Sequence, residues 1–446
     1  MRSAASYEME KNQSNLSDPA EEMKTENAPE AAAAPEEKAS GSAPKKKDSV
    51  FKDKKIRIRF ILFIVALVIA VTSIGVGVYR ATLKEEGWYG VEISLDRDLP
   101  YYHFGVSFQL YLTGSSNEIR DRYNLARQTY TALLKQSYRL LDSSTVYDGI
   151  VNLATLNQNP NQRFTLSKEL FDILSDAKRR TEQDRGYSVF AGAYYAFWQE
   201  QLYRLSPSDS DPKNDPEAAS MEETLKNFVK DGAFSLELDE SDLSAGLYVS
   251  REYLDFAKDY GLDYPILDLN ILYDAYRLEL LRDGLEKNGL NEGYIYTTGG
   301  VSVSLSRDPS SEVFFYGKNG DQPAVTVALD YPPGCSASFV RSFGYPEEAG
   351  YYETGGVRRC PFFTLSGHSQ VVSASLILGS ASPVETAWTN VLLFNCSEKS
   401  AALEKLKDCK MRFAASFTDS EDAVFTDGGP VKVDGSVKIT PVSDSY

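Results

Sequence analysis

Histidine and cysteine are scarce in this sequence. Its 446 residues include two histidines and four cysteines, and no CxxC pair occurs. His103 and His368 are isolated, and no Ser-His-Asp or Cys-His arrangement is legible around either of them. Structural zinc sites are usually built from closely spaced Cys and His ligands. The sequence therefore gives no indication of zinc chemistry of that kind or of a triad hydrolase.

Lys and Arg are also fewer than Asp and Glu. The formal net charge is −17 and the sequence pI is about 4.8, and no stripe of Lys and Arg interleaved with aromatics occurs in the body of the chain. Because binding to nucleic-acid phosphates requires clustered basic residues, a nucleic-acid partner is excluded. The hydrophobic content of 42% and aromatic content of 12% are typical of a globular protein. No internal repeat is visible.

The first part of the chain predicts a membrane anchor. Residues 1–58 contain few bulky apolar groups and predict a disordered cytoplasmic tail. Residues 59–80 then supply about 20 mostly apolar residues, enough for a helix that spans the bilayer. Lys and Arg are concentrated before this segment, whereas Glu85 and Glu86 follow it, so the positive-inside rule places the rest of the chain outside the cytoplasm. A cleaved signal peptide and a buried core helix are the alternatives.

All four cysteines fall in the last quarter of the chain, on the predicted outer side. An even number of cysteines in an oxidising compartment permits disulfides. Pairing sequence neighbours, Cys335 with Cys360 and Cys396 with Cys409, closes the shortest loops. Free buried thiols and a zinc site near His368 are the alternatives.

Residues 88–430 are predicted to form one extracytoplasmic α+β domain, followed by a C-terminal tail over 431–446. Apolar residues at three- and four-residue spacing predict helices, over 117–141, 167–184, 220–230, 250–260, 383–394 and 398–408. Alternating or β-branched runs predict strands, over 90–113, 294–306, 361–365, 371–378 and several shorter stretches. The apolar run Ile266–Leu269 is read as a strand that turns directly into a helix, an arrangement that often holds phosphates.

Several segments of residues 100–427 follow one another in an order that resembles one known family. They are Phe104-Gly105-Val106, Leu156-Asn157, Arg185–Val189 with Trp198, Leu267–Tyr276, Thr298-Gly299-Gly300, Cys335–Ala337, Cys360–Gly367 and Val384–Thr389. The family is ApbE, the FAD:protein FMN transferases. Its members lie outside the cytoplasmic membrane, use magnesium to split FAD, and attach FMN to Ser or Thr of a partner protein. The resemblance implies an ApbE-like (T-fold-like) domain, with FAD and Mg as cofactors.

The resemblance also implies which residues form the site. The flavin-binding positions are Asp268, Asn270, Tyr276, Thr298, Gly299, Gly300, Ser336 and Gly367. Glu385 and Thr389, four residues apart on one helix face, are the implied magnesium ligands. The plainer alternatives are a strand-to-strand turn at Gly299-Gly300, and a surface acid with a satisfied hydroxyl on the helix. The aromatic cluster between Tyr187 and Trp198 is either core or a stacking surface for the flavin ring.

The sequence departs from the family where phosphate chemistry requires specific residues. Asn270 and Ile271 stand where the family has two glycines, and a branched side chain occupies the space that a pyrophosphate needs. Asp274 stands where the family has lysine, so that an attractive charge becomes a repulsive one. Val301 replaces an acid, and no catalytic residue is assigned. These departures predict a catalytically degenerate protein that binds flavin or acts as a scaffold for an unknown membrane or surface partner. The alternatives are an active, magnesium-dependent FMN transferase and a ligand-free interaction module.

Overall fold

The computed structural model describes residues 85–307, 309, 311–319, 322–379, 382–433 and 437–442. The predicted tail over 1–58 and the predicted transmembrane helix over 59–80 lie outside these residues. Within them, no helix is both long enough and apolar enough to cross a membrane. The described residues from Glu86 onward belong to one compact unit.

A nine-stranded sheet forms the centre of this unit. Its strands, in spatial order, are β1 (Gly87–Gly90), β2 (Val106–Leu112), β6 (Gly293–Thr297), β7 (Val301–Ser304), β10 (Ser336–Arg341), β13 (Val372–Leu378), β14 (Arg412–Phe417), β15 (Ser420–Thr426) and β17 (Lys438–Pro441). All neighbours pair antiparallel except β15 and β17, which are parallel. All seven residues of β13 are buried, as expected for a central strand covered on both faces.

Three smaller sheets complete the strand structure. One contains β3 (Arg163–Thr165), β5 (Ser244–Val249) and β4 (Phe234–Asp239). A second contains β16 (Lys432–Val433), β9 (Gln322–Tyr331) and β8 (Ser311–Asn319), and the third pairs β11 (Tyr352–Thr354) with β12 (Val357–Arg359).

The described helices are capped by residues that the sequence makes recognisable. Their bounds are α1 (Ser116–Leu141), α2 (Leu153–Gln158), α3 (Lys168–Gln183), α4 (Gly192–Leu202), α5 (Pro216–Lys230), α6 (Arg251–Asp259), α7 (Tyr273–Lys287), α8 (Pro383–Phe394) and α9 (Lys399–Asp408). Ser115 and Glu118 form a reciprocal capping box at the start of α1. Ser167 caps α3, and Ser382 caps α8, which has Pro383 in its first turn. Helix α7 packs against both α1 and α8, on the main core.

The predicted helices over 117–141, 167–184, 250–260, 383–394 and 398–408 are confirmed to within two residues, and the helix predicted over 220–230 begins earlier, at Pro216. Three predicted strands are wrong. After β1 the chain leaves the sheet, and the stretch 91–99 makes one ladder-like bond, from the Val91 N–H to the Phe108 carbonyl. The stretches 266–269 and 361–365 are irregular, because side chains rather than neighbouring strands satisfy much of their backbone.

One further prediction needs correction at the C-terminal end. Residues of the predicted tail over 431–446 form strands β16 and β17. The structure decides between the alternatives left open for the cysteines, since all four are free thiols. Cys360 is fully buried and bonds to the Phe362 carbonyl at 3.0 Å, and burial raises its pKa to about 12. A buried thiol that stays protonated is a poor nucleophile.

Candidate functional site

The segment that leads into α7 is held by side-chain amides and carboxylates. The Asn157 side chain accepts from Leu267 N–H at 2.7 Å and donates to the Leu267 carbonyl at 2.9 Å, as a neighbouring strand would. Asp268 N–H donates to the Val189 carbonyl at 3.0 Å, and its carboxylate accepts from the Ser143 hydroxyl at 2.6 Å. These bonds explain why the apolar run before the helix needs no strand partner.

Asn270 adopts the backbone conformation that is typical of glycine. Its φ is +54°, in the left-handed region, where Asn is the best-tolerated residue after Gly. The Asn270 N–H donates to the Asp268 carboxylate at 2.6 Å, and its side-chain NH₂ donates to the Ser188 carbonyl at 3.0 Å. The neighbouring Ile271 is packed against two hydrophobic clusters of the core. The turn before α7 is therefore held by the side chains of its own residues Asp268 and Asn270.

Asp274 lies over the hairpin that carries the two predicted flavin-binding glycines. Burial raises the pKa of its carboxylate, although the nearby Thr297 hydroxyl and Gly299 N–H act to lower it. A Cβ placed on Gly299 would overlap an Asp274 carboxylate oxygen. The carboxylate thus occupies the space above Gly299.

The raised pKa of Asp274 predicts a pH-dependent effect on stability. In the folded protein the ionised carboxylate is disfavoured at neutral pH, and this penalty disappears as the pH falls through the folded pKa towards the ordinary value of 3.8. Asp274→Asn is therefore expected to increase the free energy of unfolding at pH 7 by on the order of 1 kcal/mol. The gain should shrink towards pH 4, as measured by urea denaturation.

Asp283→Asn is the matched control for this prediction. Asp283 lies on the same helix with its side chain 64% exposed, so its substitution should change the free energy of unfolding by less than about 0.5 kcal/mol. A loss of stability in Asp274→Asn at pH 7 would mean that the favourable interactions of the charged carboxylate with its polar neighbours outweigh its desolvation.

The Thr298-Gly299-Gly300 segment is the turn between β6 and β7. The Thr298 N–H donates to the Gly105 carbonyl at 2.8 Å. Gly300 has a φ of +86°, and a Cβ there would overlap the Phe339 carbonyl oxygen. The Phe339 N–H also donates to the Gly300 carbonyl at 2.8 Å. The close approach of β10 is by itself a sufficient reason for glycine at position 300.

Ser336 and Gly367 lie in different surroundings. Ser336 is buried at the start of β10, where its hydroxyl donates to the Ser382 carbonyl at 3.0 Å and lies 3.2 Å from the Thr386 hydroxyl. Gly367, with a φ of +100°, closes a tight turn with Thr364 through backbone bonds of 2.8 and 3.0 Å. Ser336 therefore connects the sheet to the start of α8, and Gly367 shapes a turn.

The aromatic residues on α4 form core packing rather than an open stacking surface. Tyr194 and Trp198 are fully buried, and Phe363 packs against both. His368 meets the edge of Trp198 with ring centroids 4.6 Å apart, and burial holds the pKa of His368 well below its usual value. This histidine stays neutral inside the core.

Arg180 is the central residue around the predicted metal ligands. Its side chain is 2% exposed, and it binds the Asp176 carboxylate at 2.7 Å through Nε and the Glu385 carboxylate at 2.6 Å through a terminal nitrogen. Its guanidinium lies over the Trp388 ring, 5.2 Å from the centroid. Tyr276 donates to the same Asp176 carboxylate at 2.7 Å. The predicted residues Tyr276 and Glu385 are thus joined through an arginine and an aspartate that sequence reasoning did not include.

The electrostatics of this cluster stabilise its charged forms. Burial works against the charge on Asp176, but hydrogen bonds from Arg180 and Tyr276 lower its pKa. Burial likewise disfavours the Arg180 charge, and the bonds to Asp176 and Glu385 outweigh it and raise the pKa of Arg180. The cluster is therefore a fixed ion-pair network.

A signal for Arg180 was present in the sequence. It lies three residues after Ala177, which continues the buried stripe of Leu170, Ile173 and Leu174 on α3. A charged residue at a core-facing helical position requires a partner. The sequence does not show which partner, because Glu385 is 205 residues away.

These residues do not fit a magnesium ion. The Glu385 oxygen that faces the cluster is bound to Arg180, and the Thr389 hydroxyl donates to the Glu385 carbonyl at 3.0 Å. Throughout the described part of the chain, no group of three or more His, Cys, Asp and Glu is arranged to hold a metal. A hard cation requires several free oxygen ligands, and here a guanidinium already takes the nearby carboxylates.

Comparisons with known proteins support the fold. No protein-family model matches the chain, and no curated protein matches its sequence. Its structure is similar to that of the ApbE protein of Thermotoga maritima, with a TM-score of 0.51 and 12% identity, over 78% of this chain and 96% of that chain. The flavin transferase ApbE of Vibrio cholerae aligns with a TM-score of 0.47 and 11% identity, over 74% of this chain and 94% of its own. The first similarity confirms the predicted ApbE-like fold, and at 12% identity it establishes the fold alone.

Proposed function

We propose that this chain is a catalytically inactive ApbE-like protein that acts as a scaffold for a membrane or surface partner. The observation that carries the proposal is the Arg180 guanidinium between Asp176 and Glu385. Splitting FAD by the ApbE reaction requires a divalent cation to neutralise the phosphate charge. In this chain the oxygen ligands that would recruit it are already paired with a side-chain cation.

Two features of the α7 turn support the same proposal. Ile271 is packed against the core, so the backbone there is shielded from a phosphate. The Asp274 carboxylate lies against Gly299 and places negative charge where a pyrophosphate would need attraction.

The location of this scaffold is part of the proposal. The apolar length of residues 59–80 and the basic residues before it support a single-pass anchor, with the tail over 1–58 in the cytoplasm and the domain over 88–430 outside.

The test is incubation of the full chain, purified in detergent, with FAD and MgCl₂, with AMP release followed by chromatography. We expect no AMP above the protein-free blank, while an active ApbE transferase assayed in parallel releases it. The same samples report FAD binding through flavin fluorescence. Fluorescence quenching without AMP would identify a flavin-holding scaffold, and no quenching at millimolar FAD would identify a ligand-free one.

Magnesium-dependent AMP release would overturn the proposal. In that case Glu385→Gln and Thr389→Ala should abolish the release, whereas Glu398→Gln, outside the cluster at the start of α9, should not.

A further inference from the structure

The nine-stranded sheet has one face that is covered over only part of its width. Cross-strand pairing places Ala337 opposite Ser302 and Ser302 opposite Tyr296, so these three side chains lie on one face. On β10 this face is covered, because Ala337 belongs to one hydrophobic cluster with Phe315 and Val327 of β8 and β9. On β6 the same face is open, since Tyr296 is 36% exposed.

Four aromatic residues form a patch on the open face of β1, β2 and β6. Trp88 stands opposite Tyr111 in the β1–β2 ladder, with the two ring centroids 5.1 Å apart. The Trp88 ring also lies 5.4 Å from the ring of Tyr294, which in turn lies 5.8 Å from that of Tyr296. Trp88 is 44% exposed. Single exposed aromatics are ordinary, but contiguous exposed patches mark interaction surfaces.

The aromatic patch is amphipathic and uncharged. Gln109 stands opposite Tyr294, and Ser107 stands opposite Tyr296, so polar side chains lie among the rings. Strands β1, β2 and β6 contain no Lys, Arg, Asp or Glu. Trp and Tyr combine an apolar ring with a polar N–H or hydroxyl, and they are enriched where a bilayer meets water. The composition of the patch is therefore typical of a surface that contacts lipid headgroups.

The predicted membrane anchor limits how far this patch can lie from a bilayer. Trp88 follows residue 80, the end of the predicted span, by eight residues, and an extended chain of that length reaches at most about 28 Å. The chain has a net charge of −17, so charge does not attract it to an anionic membrane. An uncharged aromatic surface close to the anchor is the part suited to contact. This step rests on the anchor that forms part of the proposed function.

We propose that the aromatic patch docks on the headgroup layer of an uncharged, phosphatidylcholine-like lipid surface. The four rings enter this layer with their apolar faces, while their polar groups and the Gln109 amide bond to water and headgroup oxygens. Binding of this kind grows with the apolar area that enters the interface. The domain then lies with the open face of β1, β2 and β6 towards the bilayer.

The experiment uses the full chain reconstituted into phosphatidylcholine nanodiscs, with and without bromine on the acyl chains close to the headgroups. Bromine quenches tryptophan emission only at short range. The chain contains three tryptophans, and because Trp198 and Trp388 are buried, Trp88→Phe leaves a constant background. In this background, Tyr296→Trp adds a reporter on the patch. We expect brominated lipid to remove roughly half of the added emission.

Tyr260→Trp in the same background is the matched control. Tyr260 is 63% exposed and packs on Phe256, outside the nine-stranded sheet, so bromine should leave its added emission unchanged. Adding Tyr111→Thr and Tyr294→Thr, which keep a residue suited to strands at both positions, should abolish the quenching at position 296. Quenching that survives these two substitutions, or equal quenching at positions 260 and 296, would overturn the proposal. Unquenched emission at position 296 would also overturn it and leave the patch to a protein or glycan partner.

Failure of the docking is distinguishable from failure of the anchor. A chain that does not elute with the nanodiscs would refute the anchor and the docking together. A chain that elutes with them and shows no quenching at position 296 would refute the docking alone. Neither readout involves FAD or magnesium, so both are independent of whether the protein is catalytically inactive.

Discussion

Replacing Arg180 with methionine should lower the free energy of unfolding by about 2–3 kcal/mol, because Asp176 loses its buried partner and keeps only the exposed Arg179. Methionine retains the apolar contacts of the long side chain, so the loss reports the charge and not a cavity. The measurement is urea denaturation followed by tryptophan fluorescence. Trp388, which lies under the guanidinium, should also change its emission in the folded state.

Arg179→Met is the matched control for this substitution. Arg179 also pairs with Asp176, but its side chain is 49% exposed, against 2% for Arg180. Exposed ion pairs contribute about 0–1 kcal/mol, so the control should change the free energy of unfolding by that amount at most. Adding Asp176→Asn to Arg180→Met should recover part of the loss, since the partly buried charge that lost Arg180 is then removed. Equal losses in the two arginine variants would contradict the assignment of Arg180 as the central cation.

Gly300→Ala should lower the free energy of unfolding by about 3 kcal/mol. A left-handed φ costs a non-glycine residue roughly 1–2 kcal/mol, and the added Cβ overlaps the Phe339 carbonyl oxygen. Relief of this overlap would separate β7 from β10 and weaken the Phe339 N–H bond to Gly300. Thermal and urea unfolding of the full chain measure the effect.

Gly299→Ala tests whether the contact with Asp274 or the packing of β10 requires glycine in this turn. Its Cβ would meet the end of the Asp274 side chain and not backbone, and a flexible carboxylate can rotate away. We therefore expect a loss of about 1 kcal/mol. A larger loss for Gly299→Ala than for Gly300→Ala would mean that the contact between Asp274 and the hairpin, and not the packing of β10, determines the glycines here.

Local signals in the sequence predicted much of the fold. Ser167 and Ser382 mark the starts of α3 and α8, and the apolar spacing of each helix continues to its end. The wrong strand predictions fall where backbone N–H and C=O groups are hydrogen-bonded to side chains that are distant in the sequence. Leu267 bonds to the Asn157 side chain, 110 residues away, and not to a strand. Periodicity cannot detect such a bond, because it depends on the tertiary fold.

The candidate site was predictable only in part. The α7 turn, the Gly299-Gly300 hairpin and the α8 helix were located from the order of motifs, and the residue at position 274 was singled out for its charge. Sequence reasoning missed that Asp274 lies against the hairpin at Gly299 and that Arg180 pairs with Glu385. Both are side-chain contacts across packed elements. The resemblance considered only the residues that the family uses, and Arg180 is not among them.

The Arg180 network has a consequence for how the protein depends on its surroundings. The occupancy of a site by a dissociable ion depends on the concentration of that ion, whereas a side-chain cation is covalently attached and always present. The junction between α3, α7 and α8 should therefore hold equally well in media that are rich in divalent ions and in media depleted of them. A domain built in this way would keep its shape under competition for metals, a condition that would strip a bound magnesium ion.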